Sequence, residues 1–150
     1  MYKVSFIHRV TKFLVDAMFY SGIVACIALP FVFRQLQGLG VFWLNRSIPS
    51  LVVLLASGIC AVYILYQLKQ MFKTLIGKTP FVHENISCFR RCGVASFIIS
   101  ALFVIRIFLG FTPGSAIIVI IFAMLGLFSL TMKDVFKQAV FYKEENDWTV

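Results

Sequence analysis

Four apolar runs divide this chain. They cover about 13–33, 50–67, 93–110 and 115–132, and polar or charged residues separate them. Each run is 18–21 residues long. At about 1.5 Å per residue, a helix of that length crosses a hydrocarbon core roughly 30 Å thick. A chain in lipid has no water to satisfy its backbone, so each run must bond internally as a helix. The expected fold is an all-α integral membrane protein. It is a single domain over 1–150 with four transmembrane helices and no linker long enough to divide it.

The edges of the runs have local causes. Arg34 ends the first, and Pro30 is expected to kink its far end. Ser47 and Pro49 supply a cap and a favourable first-turn proline for the second helix. Lys78-Thr79-Pro80 breaks the chain before the third, and Thr112-Pro113-Gly114-Ser115 reads as a tight turn before the fourth.

The polar positions carry a repeat. Leu68-Lys69-Gln70-Met71-Phe72-Lys73 follows the second run, and Met132-Lys133-Asp134-Val135-Phe136-Lys137 follows the fourth. Leu68, Met71, Phe72, Leu75 and Ile76 make an apolar stripe at helical spacing. Met132, Val135, Phe136, Ala139 and Val140 make the same stripe 64 positions later. Helices 2 and 4 are therefore expected to continue out of the membrane as amphipathic rods, and the fold to be two related helical hairpins.

Charge sets the orientation. Lys3, Arg9 and Lys12 precede the first run. Lys69, Lys73, Lys78, Arg90 and Arg91 lie between the second and third, and Lys133, Lys137 and Lys143 follow the fourth. Those eleven fall on one side, whereas Arg34 and Arg46 lie on the other and Arg106 falls inside a span. The positive-inside rule puts both termini in the cytoplasm of a cell-membrane protein. The net charge of +8 then reads as anchoring to anionic headgroups, and no direct nucleic-acid binding is expected.

Composition agrees. Hydrophobic residues make up 61% of the chain and the mean hydropathy is +0.94, against about 45–50% apolar residues in a soluble domain. Cys26 and Cys60 lie in apolar runs, and Cys88 and Cys92 in a basic segment on the inner side, so all four are expected reduced. Cys88 and Cys92 with His83 would lack a fourth zinc ligand. Ile23-Val24-Ala25-Cys26 looks like a lipoprotein cleavage box. Asp16 interrupts the would-be signal core, however, and the run continues past Cys26, as a span does.

Chemistry is sparse. Asp16 and Arg106 are the ionisable residues within spans, and intramembrane charges are functional candidates. They lie near opposite edges, roughly 20 Å apart in depth, and cannot touch. Asp16 is expected to pair with Lys12 one turn back or with Lys133 on a neighbouring helix, the alternative being a proton-linked role. Arg106 is expected to reach outer headgroups or helix-end carbonyls, the alternative being an anion or outer ligand. No Ser–His–Asp or Cys–His set and no phosphate loop can be read, so no catalytic, cofactor or metal site is assigned. Ser57/Ala61, Ser96/Ser100 and Gly22/Cys26 recur at four-residue spacing and suit close helix packing. Trp43 is expected at the outer interface.

The inner face holds the distinctive segments. Pro80-Phe81 leads through Glu84-Asn85 to Arg90-Arg91, and the chain ends Glu144-Glu145-Asn146-Asp147-Trp148-Thr149-Val150. An acidic tail near a basic pair is expected either to dock Glu144, Glu145 and Asp147 on Arg90 and Arg91 or to remain solvated. These segments resemble a bacterial membrane family, domain of unknown function 2975. Its members have four spans and a similar length, and end in a Glu-Asn-Asp-Leu-Thr-Ile/Val-like tail, with Trp148 here in place of leucine. Family genes often adjoin one for a small Cro/Xre-type helix-turn-helix regulator. The resemblance implies a non-enzymatic partner that docks such a regulator. The docking face would comprise Pro80, Phe81, Glu84, Asn85, Arg90, Arg91, Glu144, Glu145, Asn146 and Asp147. The competing class is small-molecule transport or resistance and immunity, which needs a polar path, built in a homo-oligomer if not in the monomer.

Overall fold

The computed structural model describes residues 6–38, 47–76 and 83–148. They form four helices: α1 (Phe6–Gly38), α2 (Ser47–Ile76), α3 (His83–Leu109) and α4 (Pro113–Trp148). All four are long and apolar enough to cross a membrane, and the protein is an all-α, multi-pass membrane protein. The helices have 33, 30, 27 and 36 residues. At about 1.5 Å per residue they measure roughly 40–54 Å, more than a bilayer core requires.

The apolar runs therefore underestimate the helices, and three of the extensions matter most. α1 does not stop at Arg34 but continues through Pro30 to Gly38. Proline has no N–H, so the Cys26 carbonyl, four residues back, lacks its helical donor there. α3 starts at His83, ten residues before its apolar run, and takes Arg90 and Arg91 out of a loop and onto a helix. α4 runs unbroken to Trp148, so the acidic end is helical rather than a loose tail. The continuation of α2 to Ile76 and of α4 past Met132 follows the repeated stripe.

Each helix packs chiefly on its chain neighbour, most extensively α3 on α4, then α2 on α3, then α1 on α2. A core of Ile64, Cys92, Ala95, Ile99 and Phe103 lies where α2 and α3 meet, with Ile118, Val119 and Phe122 of α4 and Leu54 and Leu68 of α2 against it. Small residues let α3 and α4 approach. A Cβ on Gly93 would lie 3.1 Å from the Leu130 side chain and 3.3 Å from the Gly126 carbonyl oxygen, and one on Gly126 would meet the Phe97 ring at 3.0 Å. In lipid, where apolar surface alone drives no association, such contacts and interhelical hydrogen bonds hold helices together. Ser100 Oγ supplies one, donating to the Val119 carbonyl at 3.1 Å.

The α3–α4 connection is short. Gly110 N–H donates to the Arg106 carbonyl at 3.0 Å, the last bond of α3. Only residues 110–112 are non-helical before Pro113 opens α4. Thr112 precedes that proline, its hydroxyl meets that of Ser115, and its carbonyl accepts from Ser115 N–H at 2.9 Å. Polar residues just outside a helix and proline at its first position are the usual start signals.

Candidate functional site at the lysine-rich end

The antiparallel α3–α4 register determines which residues of the lysine-rich end meet. Phe97 faces Gly126, Gly93 faces Leu130, and the Phe89 and Phe136 rings lie 4.9 Å apart. Carried on, this places His83 beside Glu144, with Nε2 and Oε1 3.1 Å apart. Arg90 and Arg91 lie seven and eight residues beyond His83, about 10–12 Å along the axis. Glu144 thus bridges to His83 rather than to the arginine pair. Both members of that bridge are exposed, which makes it a weak tie.

Of the expected docking residues, Glu84, Arg90 and Arg91 on α3 and Glu144, Glu145 and Asn146 on α4 are exposed. Asn85 is not: at 1% exposure it is among the most buried side chains. It faces α2, where Thr74 Oγ1 lies 2.8 Å from both Asn85 Oδ1 and the Met71 carbonyl. A hydroxyl has one proton to give. Exchanging the Asn85 amide oxygen and nitrogen would let Thr74 donate to Met71 while accepting from Asn85. Asn85 is a polar clasp between α2 and α3 and leaves the docking face. Gln67, about two turns from Thr74 on the same face of α2, is as buried as Asn85, and its Oε1 has no hydrogen-bond partner among the described residues. Pro80 and Phe81 lie outside the described residues, as do Trp43 and the Asp147 side chain.

Asp16 pairs with neither Lys12 nor Lys133. Lys69 Nζ of α2 lies 3.0 Å from its Oδ1. That oxygen makes no aligned hydrogen bond, so the contact is a charge pair. The ammonium also sits 5.3 Å from the Phe19 ring centre and 5.1 Å from that of Tyr20, within cation–π range. Lys133 instead meets Asp134 on its own helix, 3.1 Å away. Arg106 occupies the last turn of α3, where helix carbonyls concentrate negative charge. Its guanidinium carbon is 5.7 Å from the Phe103 ring centre.

A second feature of this end escaped the sequence. A cavity of about 560 Å³ opens on the α2–α3 face. Ser87, Arg90 and Arg91 form its lip, and Ile59, Tyr63, Val94 and Ile98 line it farther in. The signal was present in the i, i+3/i+4, i+7 spacing of Ser87, Arg90/Arg91, Val94 and Ile98, which one helix face requires. All four cysteines are free thiols. Among the described residues, no three His, Cys, Asp or Glu side chains gather to hold a metal ion.

With this geometry in place, a family model described as "Protein of unknown function (DUF2975)" matches residues 17–150. The chain belongs to that family. The match covers all but the first sixteen residues, so in this DUF2975 protein α2, α3, α4 and most of α1, including the Gly93/Gly126 contact and the Arg90–Arg91 lip, fall within the family's span. No curated protein and no solved structure matches the chain.

Proposed function

We propose that this protein is a non-enzymatic docking partner, in the cell membrane, for a small cytoplasmic helix-turn-helix regulator. The termini and the lysine-rich end would face the cytoplasm, as eleven lysines and arginines on that side support. The observation that carries the reading is the course of α4. It continues sixteen residues beyond Met132 to Trp148, about 24 Å of helix past the apolar run. That extension presents Phe141, Tyr142 and Trp148, the last 88% exposed, among Lys143, Glu144 and Glu145. Exposed aromatics within a charged rim are the composition of a protein-binding hot spot.

The test is co-purification of the full chain with a small helix-turn-helix regulator encoded beside it. Replacing Phe141, Tyr142 and Trp148 together by alanine, or removing 143–150, is expected to abolish the complex while the membrane part still folds. An undiminished complex would reject this face, and no complex with the intact chain would reject the reading. The transport alternative has its own signature, which is substrate flux in reconstituted vesicles that disappears in Arg106→Ala.

A further inference from the structure

The α2–α3 cavity has the form of a lipid site, and we propose that it binds an anionic phospholipid. The headgroup phosphate would lie on Arg90, Arg91 and the Ser87 hydroxyl, with one acyl chain along Val94, Ile98 and Ile59. Three observations support this occupant.

The first is charge. Two guanidinium groups share the lip with one hydroxyl. α2 carries no acidic residue along its whole length, and the nearest acid on α3, Glu84, lies one turn before Ser87 and outside the lining. Arginine's planar fork suits phosphate oxygens, and basic pockets between transmembrane helices are a known means of holding anionic headgroups.

The second is polarity with depth. Beyond the lip the lining turns apolar, with the Tyr63 hydroxyl and the Cys60 thiol its other polar groups. Ile59, Val94 and Ile98 are each about half exposed or more. The arginines stand immediately before the apolar run of α3, at the level where a headgroup belongs.

The third is length. Ser87 to Ile98 spans about 16 Å along α3, close to the roughly 15 Å depth of one leaflet. The volume of about 560 Å³ is within the ordinary range for a ligand pocket, about 300–1,000 Å³. α3 turns other faces to its neighbours, Gly93, Phe97 and Ser100 to α4 and Asn85 to α2. The Ser87–Ile98 face therefore remains open to the bilayer.

The experiment uses the purified full chain in mild detergent. Phosphatidylglycerol, cardiolipin, phosphatidylcholine or inorganic phosphate is added, and adducts are read by native mass spectrometry. One adduct of an anionic phospholipid is expected, with little from phosphatidylcholine and no displacement by inorganic phosphate. Arg90→Gln with Arg91→Gln is expected to weaken that adduct by about tenfold or more, since charge-assisted contacts are lost. Ile98→Trp keeps both charges but fills the groove, and is expected to weaken it as much. Lys73→Gln with Lys137→Gln removes the same charge elsewhere and is expected to leave it unchanged. The proposal is overturned if the lysine control loses the lipid as readily as the arginine variant, which would mean diffuse attraction. It is overturned equally if phosphate displaces the lipid headgroup, if Ile98→Trp has no effect, or if the groove is covered by a second copy in a lipid-free dimer.

Discussion

The two hairpins share a plan but differ in how they are held together. Of α1's most apolar stretch 6% is buried, against 39% of α3's. Among the described side chains of α1 only Val15 is buried. α3 and α4 meet through glycines, a buried serine bonded to a facing carbonyl, and the tilted Phe89 and Phe136 rings. α1 and α2 meet through Gly22 beside Val62, Cys26 beside Gly58, and the Asp16–Lys69 charge pair. In water α1 would be unstable in this position. In a bilayer its exposed Phe13, Ile27 and Phe31 are solvated by lipid, and only close packing and polar contacts favour association. The comparison therefore ranks α3–α4 as the rigid half and α1 as the helix most easily separated.

That ranking can be broken most sharply at the glycines. Gly93→Ala places a methyl against the Leu130 side chain and the Gly126 carbonyl oxygen, and that backbone oxygen cannot retreat without moving a helix. It should cost about 1–3 kcal/mol in reversible unfolding from mixed micelles, as overpacking does. Gly58→Ala places its methyl 2.9 Å from Cys26 Sγ, the end of a short side chain free to rotate, and should cost less than Gly93→Ala in the same titration. Equal losses would show that the two hairpins are equally tight.

The junction between the halves comes next. Asn85→Leu removes the clasp in a buried site while Thr74 keeps its bond to the Met71 carbonyl, and should cost about 0.5–1.5 kcal/mol, the net worth of one hydrogen bond. Hydrogen exchange at the end of α2 should rise with it. If Asn85→Leu is neutral, the α2–α3 contact rests on the apolar core around Ile99 alone.

The smallest effect is expected at Asp16. Its pair with Lys69 is partly open to its surroundings, so Asp16→Asn should leave unfolding nearly unchanged. It should still loosen α1, seen as slower disulfide formation between cysteines placed at Phe19 and Tyr66, whose rings lie 6.2 Å apart. Asp16→Lys with Lys69→Asp should restore the rate. If the swap does not, the contact contributes nothing to where α1 sits.

Much of this architecture could be read from the residues. Long apolar runs define spans because lipid admits few alternatives, and the stripe repeated at 64 positions foretold that α2 and α4 outrun the bilayer. What could not be read was rotation and register. Lys69 and Lys133 hold the same place in the repeat, and nothing in the chain says which faces α1. Packing of neighbours in series selects Lys69. Asn85 looked like a loop residue because the apolar run begins at Gly93, whereas α3 begins ten residues earlier and turns Asn85 inward. The sequence pattern puts Arg90, Arg91 and the acidic end on the same, lysine-rich side of their apolar runs, which says nothing of their distance. One helix register, counted from Gly93 and Gly126, separates the arginines from Glu144. The spacing of Ser87, Arg90/Arg91, Val94 and Ile98 marks only the α3 wall of the cavity, which needs α2 beside it to exist.

The three-residue link at 110–112 has a mechanical consequence. It ties α3 and α4 so closely at one end that the pair can change its spacing only by pivoting there, like tweezers. The far ends are Trp148 and His83, the latter two residues from the Asn85 clasp to α2. A swing of about 5° at the pivot, carried along the roughly 40 Å of α3, displaces its tip by about 3–4 Å. That is enough to part His83 from Glu144, so any event that wedges these tips or clamps them is magnified at the lysine-rich end and almost unfelt at the other.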